Sequence, residues 1–124
     1  MSKWFSLITG GIAGTAARYL LTGVVYHALG SAFPYGTLTV NLIGCFIIGF
    51  LASAIGDKWT LGENARILLV TGFCGAFTTF SAFMLETATL IRDGEMGRAI
   101  ANISISVLIG LFVFNLGVRL GEIL

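Results

Sequence analysis

The chain has 124 residues, 56% of them hydrophobic and 10% charged, with a net charge of +1. A soluble domain of this size is not so apolar, and the near-neutral charge gives no reason to expect a nucleic-acid partner. The chain is therefore read as an integral membrane protein with little material for catalysis, and not as an enzyme.

Residues 19–56, 67–85 and 99–118 contain no Lys, Arg, Asp or Glu. A crossing helix needs about 20 mostly apolar residues, so the first run must fold back on itself. The turn is SAFPYG at Ser31–Gly36. Pro34 cannot continue a helix and Gly30 and Gly36 bracket it. The pattern predicts an all-α fold, one membrane domain over residues 1–124 with four transmembrane helices at about 4–29, 35–56, 66–91 and 97–122.

The first predicted span opens with Lys3 and an apolar run, as a signal peptide would. It also carries Arg18 and has no convincing A-x-A site, so it is expected to remain. Gly10 and Gly14 form a small-xxx-small pair suited to close helix packing. His27 is read as interfacial. On the second span Thr37, Asn41 and Cys45 recur every fourth residue and share one face, an uncharged polar stripe, while Gly44 and Gly49 add bare backbone. Cys45 and Cys74 have no metal-ligand spacing and read as small buried hydrophobes, with no disulfide predicted.

The third span contains GFCGAFTTFSAF, Gly72–Phe83. Gly72 and Gly75, followed by Thr78 and Thr79, suggest a break near its middle. Such a break is tolerated where the freed backbone groups are buried in protein, and freed carbonyls are ligands for a hard monovalent cation. An unbroken helix with tight glycine packing is the alternative. Phe77, Phe80 and Phe83 are either packing bulk or rings whose partly positive edges face a passage for a small anion. Glu86 and Arg18 are the charges well inside the spans. They either pair or face a water-filled vestibule.

On the fourth span Asn102, Ser106 and Gly110 repeat at intervals of four, whereas Ser104 points elsewhere, and Gly117 and Gly121 form another small-residue pair. Amides and hydroxyls in spans either join helices, at about 0.6–2 kcal/mol each, or line a polar pathway. Lys3, Lys58, Arg66 and Arg119 fall on one side of the membrane, against Arg92 and Arg98, with Arg18 nearer the second side. That bias is weak for setting orientation. Insertion both ways, with two copies pairing as an antiparallel dual-topology homodimer, is the expectation.

GTLTVNLIGCFIIG at Gly36–Gly49, VTGFCGAFTTFSAF at Val70–Phe83 and ARY at Ala17–Tyr19 together closely resemble the Fluc, or CrcB, family of fluoride channels. The resemblance covers nearly the whole chain. It implies an antiparallel homodimer in the cell inner membrane that passes fluoride passively through two pores and so confers fluoride resistance. By the same resemblance Phe80 and Phe83 are pore phenylalanines, Asn41 the pore asparagine, Thr79 and Ser81 their polar flanks, and Ser106 part of a hydroxyl track. The resemblance also implies that Arg18 would line the vestibule and that backbone carbonyls of Gly75 and Thr78 would hold a structural Na+ at the dimer interface. Gly110 and Met84 depart from the family's pattern, where small polar residues occur. The alternative is a small multidrug-resistance-type proton-coupled exporter, which wants a carboxylate deep in the first span where this chain has Arg18. A non-transporting assembly subunit is a third reading.

Overall fold

A computed structural model describes residues 2–57 and 60–124; Lys58, assigned above to one side of the membrane, lies outside the described residues. Helix α1 runs Lys3–Leu29 and starts where the Ser2 hydroxyl accepts the Phe5 N–H at 3.2 Å, a side-chain cap on an otherwise orphaned donor. It stops at Gly30, whose N–H makes the last helical bond, to Tyr26 O at 2.9 Å, and whose φ of 81° then turns the chain out of the helix. Helix α2, Tyr35–Asp57, begins directly after Pro34, whose carbonyl accepts the Leu38 N–H at 3.0 Å. Proline supplies the fixed φ of a helix start without a donor to satisfy.

The third segment is not one regular helix. A short α3 (Glu63–Arg66) passes into a π-helix (Ile67–Cys74), then α4 (Gly75–Phe77), and α5 (Phe80–Arg92) follows. Between α4 and α5 the backbone is extended, with φ/ψ of −92°/155° at Thr78 and −147°/116° at Thr79. The sequence places the loosening from Gly72 onward; in the structure Gly72 and Gly75 stay helical. Gly72 serves close approach instead, since a Cβ there would lie 3.0 Å from the Gly10 Cα. Gly94, at φ 79°, turns the chain from α5 into α6 (Met96–Ile123).

Two glycine-mediated contacts organise these helices. Gly10 and Gly14 of α1 face the backbone of the π-helix at Leu68 and Phe73, while Gly117 and Gly121 of α6 face the backbone of α2 at Phe46 and Phe50. A Cβ at either of the first two would collide with a carbonyl oxygen, so dispersion contact between main chains replaces side-chain interdigitation. Leu51, Ile55 and Cys74 form a buried cluster where α2 meets the π-helix.

Among the described residues three helical stretches, Tyr35–Ile55, Glu63–Arg92 and Met96–Ile123, are long and apolar enough to cross a membrane. Helix α1 has the length, but Arg18 and its glycines and threonines dilute its hydropathy. Only 17% of the apolar window of α6 is buried within the chain. Most of that surface therefore faces lipid or another protein.

Candidate functional site

The break between α4 and α5 needs partners for the backbone groups it frees, and three side chains provide them. Thr78 turns back on its own helix, its N–H and its hydroxyl both donating to Cys74 O, at 3.2 and 3.0 Å. Thr79 N–H donates to Asn41 Oδ1 at 2.9 Å, and Asn41 Nδ2 donates to Thr79 O at 3.2 Å. The Thr79 hydroxyl caps α5 by accepting the Ala82 N–H at 3.3 Å.

These bonds expose two carbonyls. In a continuous helix Gly75 O would accept from Thr79 N–H and Thr78 O from Ala82 N–H, but Asn41 and the Thr79 hydroxyl have taken those donors. Gly75 also lies exposed on the surface of the chain. Neutral backbone oxygens freed in this way suit a weakly charged hard cation, as carbonyl rings do in cation filters. Among the described residues no group of His, Cys, Asp and Glu side chains converges as a metal site. The donor set therefore fits Na+ held by main-chain oxygen rather than a divalent ion held by carboxylates.

Beside the break lies an open cleft of about 440 Å³. Asn41, Gly75, Thr78, Thr79, Phe80, Phe83 and Ser106 line it, and among the described residues no Asp, Glu, Lys, Arg or His does so. The Phe80 and Phe83 ring centroids are 5.9 Å apart with planes inclined at 47°. Phe80 is 73% exposed, whereas Phe83 is 7% exposed. The Ser106 hydroxyl oxygen is buried with no partner. A buried hydroxyl left without a hydrogen bond is unfavourable, and Ser106 is also one of the residues that line the cleft.

Several expected groupings separate. Phe77 stacks on Phe73 at 5.6 Å in the interior, away from the cleft wall. Ser81 is exposed and stands 3.4 Å from the Thr79 hydroxyl, off the wall. Asn102 is buried and donates to the Thr87 hydroxyl at 3.0 Å, which in turn donates to Phe83 O at 2.7 Å. It therefore joins α6 to α5, and only Ser106 of that stripe reaches the cleft. The stripe on α2 divides too: Thr37 donates to Glu86 Oε1 at 2.7 Å, Asn41 holds Thr79, and Cys45, a free thiol, approaches Gly110.

Arg18 and Glu86 do not pair. Arg18 Nε donates to Ala76 O at 2.9 Å, and Arg18 is not on the cleft wall. Glu86 Oε1 accepts from Thr37 and from Tyr26 OH, the latter at 3.4 Å, and its Oε2 is buried without a partner. Glu86 borders a second cleft of about 600 Å³ together with Asp93, Glu95 and Arg98. The Arg18–Ala76 contact was not anticipated from the sequence. The signal for it was the spacing of four that runs Gly10, Gly14, Arg18.

Residues 5–118 match the family described as CrcB-like protein, Camphor Resistance (CrcB). The chain is similar to the fluoride-specific ion channel FluC of Solidesulfovibrio magneticus, at 42% identity over 124 residues covering 100% of this chain and 99% of the relative. It is likewise similar to the fluoride-specific ion channel FluC of Aquifex aeolicus, at 42% identity over 122 residues and 98% of each chain. With the protein of the same description from Methylobacillus flagellatus, identity is 46% over 112 residues, or 90% of this chain and 88% of the relative.

Proposed function

This chain belongs to the CrcB family, and from that premise we propose that it is a fluoride channel that lets the anion leave the cytoplasm down its gradient. The observation that carries the reading is the cleft beside the break, where the orphaned Ser106 hydroxyl and the Phe80–Phe83 pair meet on a wall to which none of the described residues brings a fixed charge. Fluoride is small and strongly hydrated. A passage for it must offer hydrogen-bond donors and partly positive ring edges in place of water, without a lysine or arginine that would hold it. Hydrogen fluoride that crosses the membrane and dissociates inside is then returned as the anion, which gives resistance without an energy source.

The working unit in this reading is an antiparallel homodimer. Its support is the weak charge bias across the membrane, the exposure of Phe80, Gly75 and Ser81, and the small buried share of the spans. One cleft per chain becomes two pores per dimer. The Gly75 and Thr78 carbonyls of each copy, meeting near the two-fold axis, would enclose one structural Na+ that neutralises the partial charge of four facing oxygens and joins the copies.

Liposomes containing only this protein and loaded with potassium fluoride test the reading. Release of fluoride after a potassium ionophore is added, with no release from chloride-loaded vesicles, is the expected result. Absence of fluoride release, or equal release of chloride, overturns it.

A further inference from the structure

Ser6, Gly10, Gly14 and Arg18 repeat every fourth residue and lie on one face of α1. The first three are buried. Gly10 faces Leu68 O, and Gly14 faces Phe73 O and the Ala76 side chain, so the stripe climbs along residues 63–77 towards the break. Arg18 is its next member and arrives at the last turn of α4, where its Nε donates to Ala76 O at 2.9 Å. The absence of side chains at Gly10 and Gly14 brings α1 close enough for that contact.

Ala76 O needs this donor. In an unbroken helix it would accept from the N–H of Phe80, but Phe80 opens α5 beyond the extended Thr78–Thr79 pair. A non-helical backbone group at membrane depth needs a partner from the protein or from water in a cavity, and Ala76 is not among the residues that line the cleft. Neighbouring acceptors are accounted for differently: Cys74 O is taken by Thr78, and Gly75 O is left open. Arg18 therefore closes one carbonyl among several and leaves its neighbour available.

We propose that Arg18 is a positioning residue. Its Nε–H caps Ala76 O, fixes the end of the first half-helix, and thereby sets the direction of the Gly75 and Thr78 carbonyls and of the cleft wall to which these residues belong. It acts through one hydrogen bond and not by drawing anions with its charge.

Side-chain reach separates these two roles. The amide nitrogen of glutamine is bonded to Cδ, as Nε is in arginine, so Arg18→Gln presents an N–H at the same reach without charge. Arg18→Lys keeps the charge and moves the donor one atom outward, and Arg18→Met has neither. Fluoride efflux, the arm that rests on the proposed channel activity, is expected to stay within about threefold of the parent in Arg18→Gln and to fall about tenfold or more in Arg18→Met. Arg18→Gln no better than Arg18→Met overturns the proposal, and with Arg18→Lys at the parental level that result assigns Arg18 to attracting anions.

A second arm needs no flux and no unstable variant. Carbonyl-13C alanine combined with 15N phenylalanine marks the links at 32–33, 76–77 and 82–83. In the unaltered protein the 76–77 carbonyl resonance is expected downfield, as a hydrogen-bonded carbonyl, and is expected to keep its place in Arg18→Gln. A 76–77 carbonyl at the unbonded position overturns the cap. If the unaltered protein conducts no fluoride, the channel reading fails while this resonance still decides the role of Arg18.

Discussion

Asn41 on α2 and Thr79 in the break hold each other by two hydrogen bonds, Oδ1 to the Thr79 N–H at 2.9 Å and Nδ2 to the Thr79 carbonyl at 3.2 Å. Only one flip of the amide satisfies both, because the N–H needs an acceptor and the carbonyl a donor. The contact imitates a strand pairing across an interruption in a helix. It leaves one Nδ2 hydrogen for the cleft, so Asn41 both shapes the wall and contributes to it.

Asn41→Ala removes both partners of Thr79 at once. Each backbone group left without a bond costs about 1–3 kcal/mol, so thermal stability in detergent should fall clearly along with fluoride flux. Asn41→Asp keeps an acceptor for the N–H but sets an oxygen against the Thr79 carbonyl and adds negative charge to the cleft. Its flux should drop further than that of Asn41→Ala. A stable, merely less conductive Asn41→Ala protein would mean that the amide serves the anion alone.

The turn from α1 into α2 was legible in the sequence because it depends on local facts, Pro34 having no N–H and Gly30 and Gly36 bracketing it, whereas the Ser2 cap and the Gly94 turn came from the structure. The break was legible as a region but not to the residue. Glycines look like the weak points of a helix, yet Gly72 is held helical by α1, whereas the β-branched Thr78 and Thr79 leave the helix because their hydroxyls cap both sides of the gap. The π-helix gave no warning, since an apolar segment has no polar face whose phase could reveal a change of pitch. Contacts such as Asn41–Thr79 and Arg18–Ala76 join residues 38 and 58 positions apart. Spacing within one helix shows which residues share a face, not which neighbour that face meets. That is why Asn102 and Ser106 part company: Thr87 on α5 claims the first.

Gly75 offers a test of assembly that leaves the chain itself alone. A Cβ there would meet nothing closer than Val70 O at 4.0 Å, and helical φ/ψ suit any L-residue, so Gly75→Val should fold normally as a single chain. In an antiparallel pair the branched side chain would stand beside the axis. The expected result is normal helix content by circular dichroism with loss of dimer in bilayers, read by energy transfer between labelled copies. An intact dimer would argue that the interface lies elsewhere.

Asn102 and Ser106 should behave in opposite ways. Asn102→Leu breaks the bond to Thr87 inside the protein and should lower stability by about 0.6–1.7 kcal/mol while leaving flux close to normal. Ser106→Ala deletes a buried hydroxyl that has no partner, so stability should hold or rise while flux falls. Unfolding curves and liposome efflux on both variants check this. The reverse pattern would move the polar track from Ser106 to Asn102.

Phe80 and Phe83 differ in burial, and that difference makes them informative together. Phe83 is 7% exposed and its backbone carbonyl accepts from Thr87, so Phe83→Ile alters the interior as well as the cleft. Phe80 is 73% exposed and touches the other ring at its edge of the cleft, so Phe80→Ile should barely change the stability of the chain. If the rings are packing bulk, isoleucine at position 80 is harmless and flux follows stability, with loss only at position 83. If ring edges replace water around the anion, both variants lose most of their flux, because isoleucine fills space without offering a partly positive rim. Phe80→Tyr keeps the ring and should retain measurable efflux. The deciding measurement is fluoride efflux for Phe80→Ile, with gel filtration confirming a dimer like that of the parent protein. A dimeric Phe80→Ile protein conducting at the parental rate would remove the aromatic wall from the pathway and leave the Ser106 hydroxyl and the free Asn41 hydrogen to carry the anion.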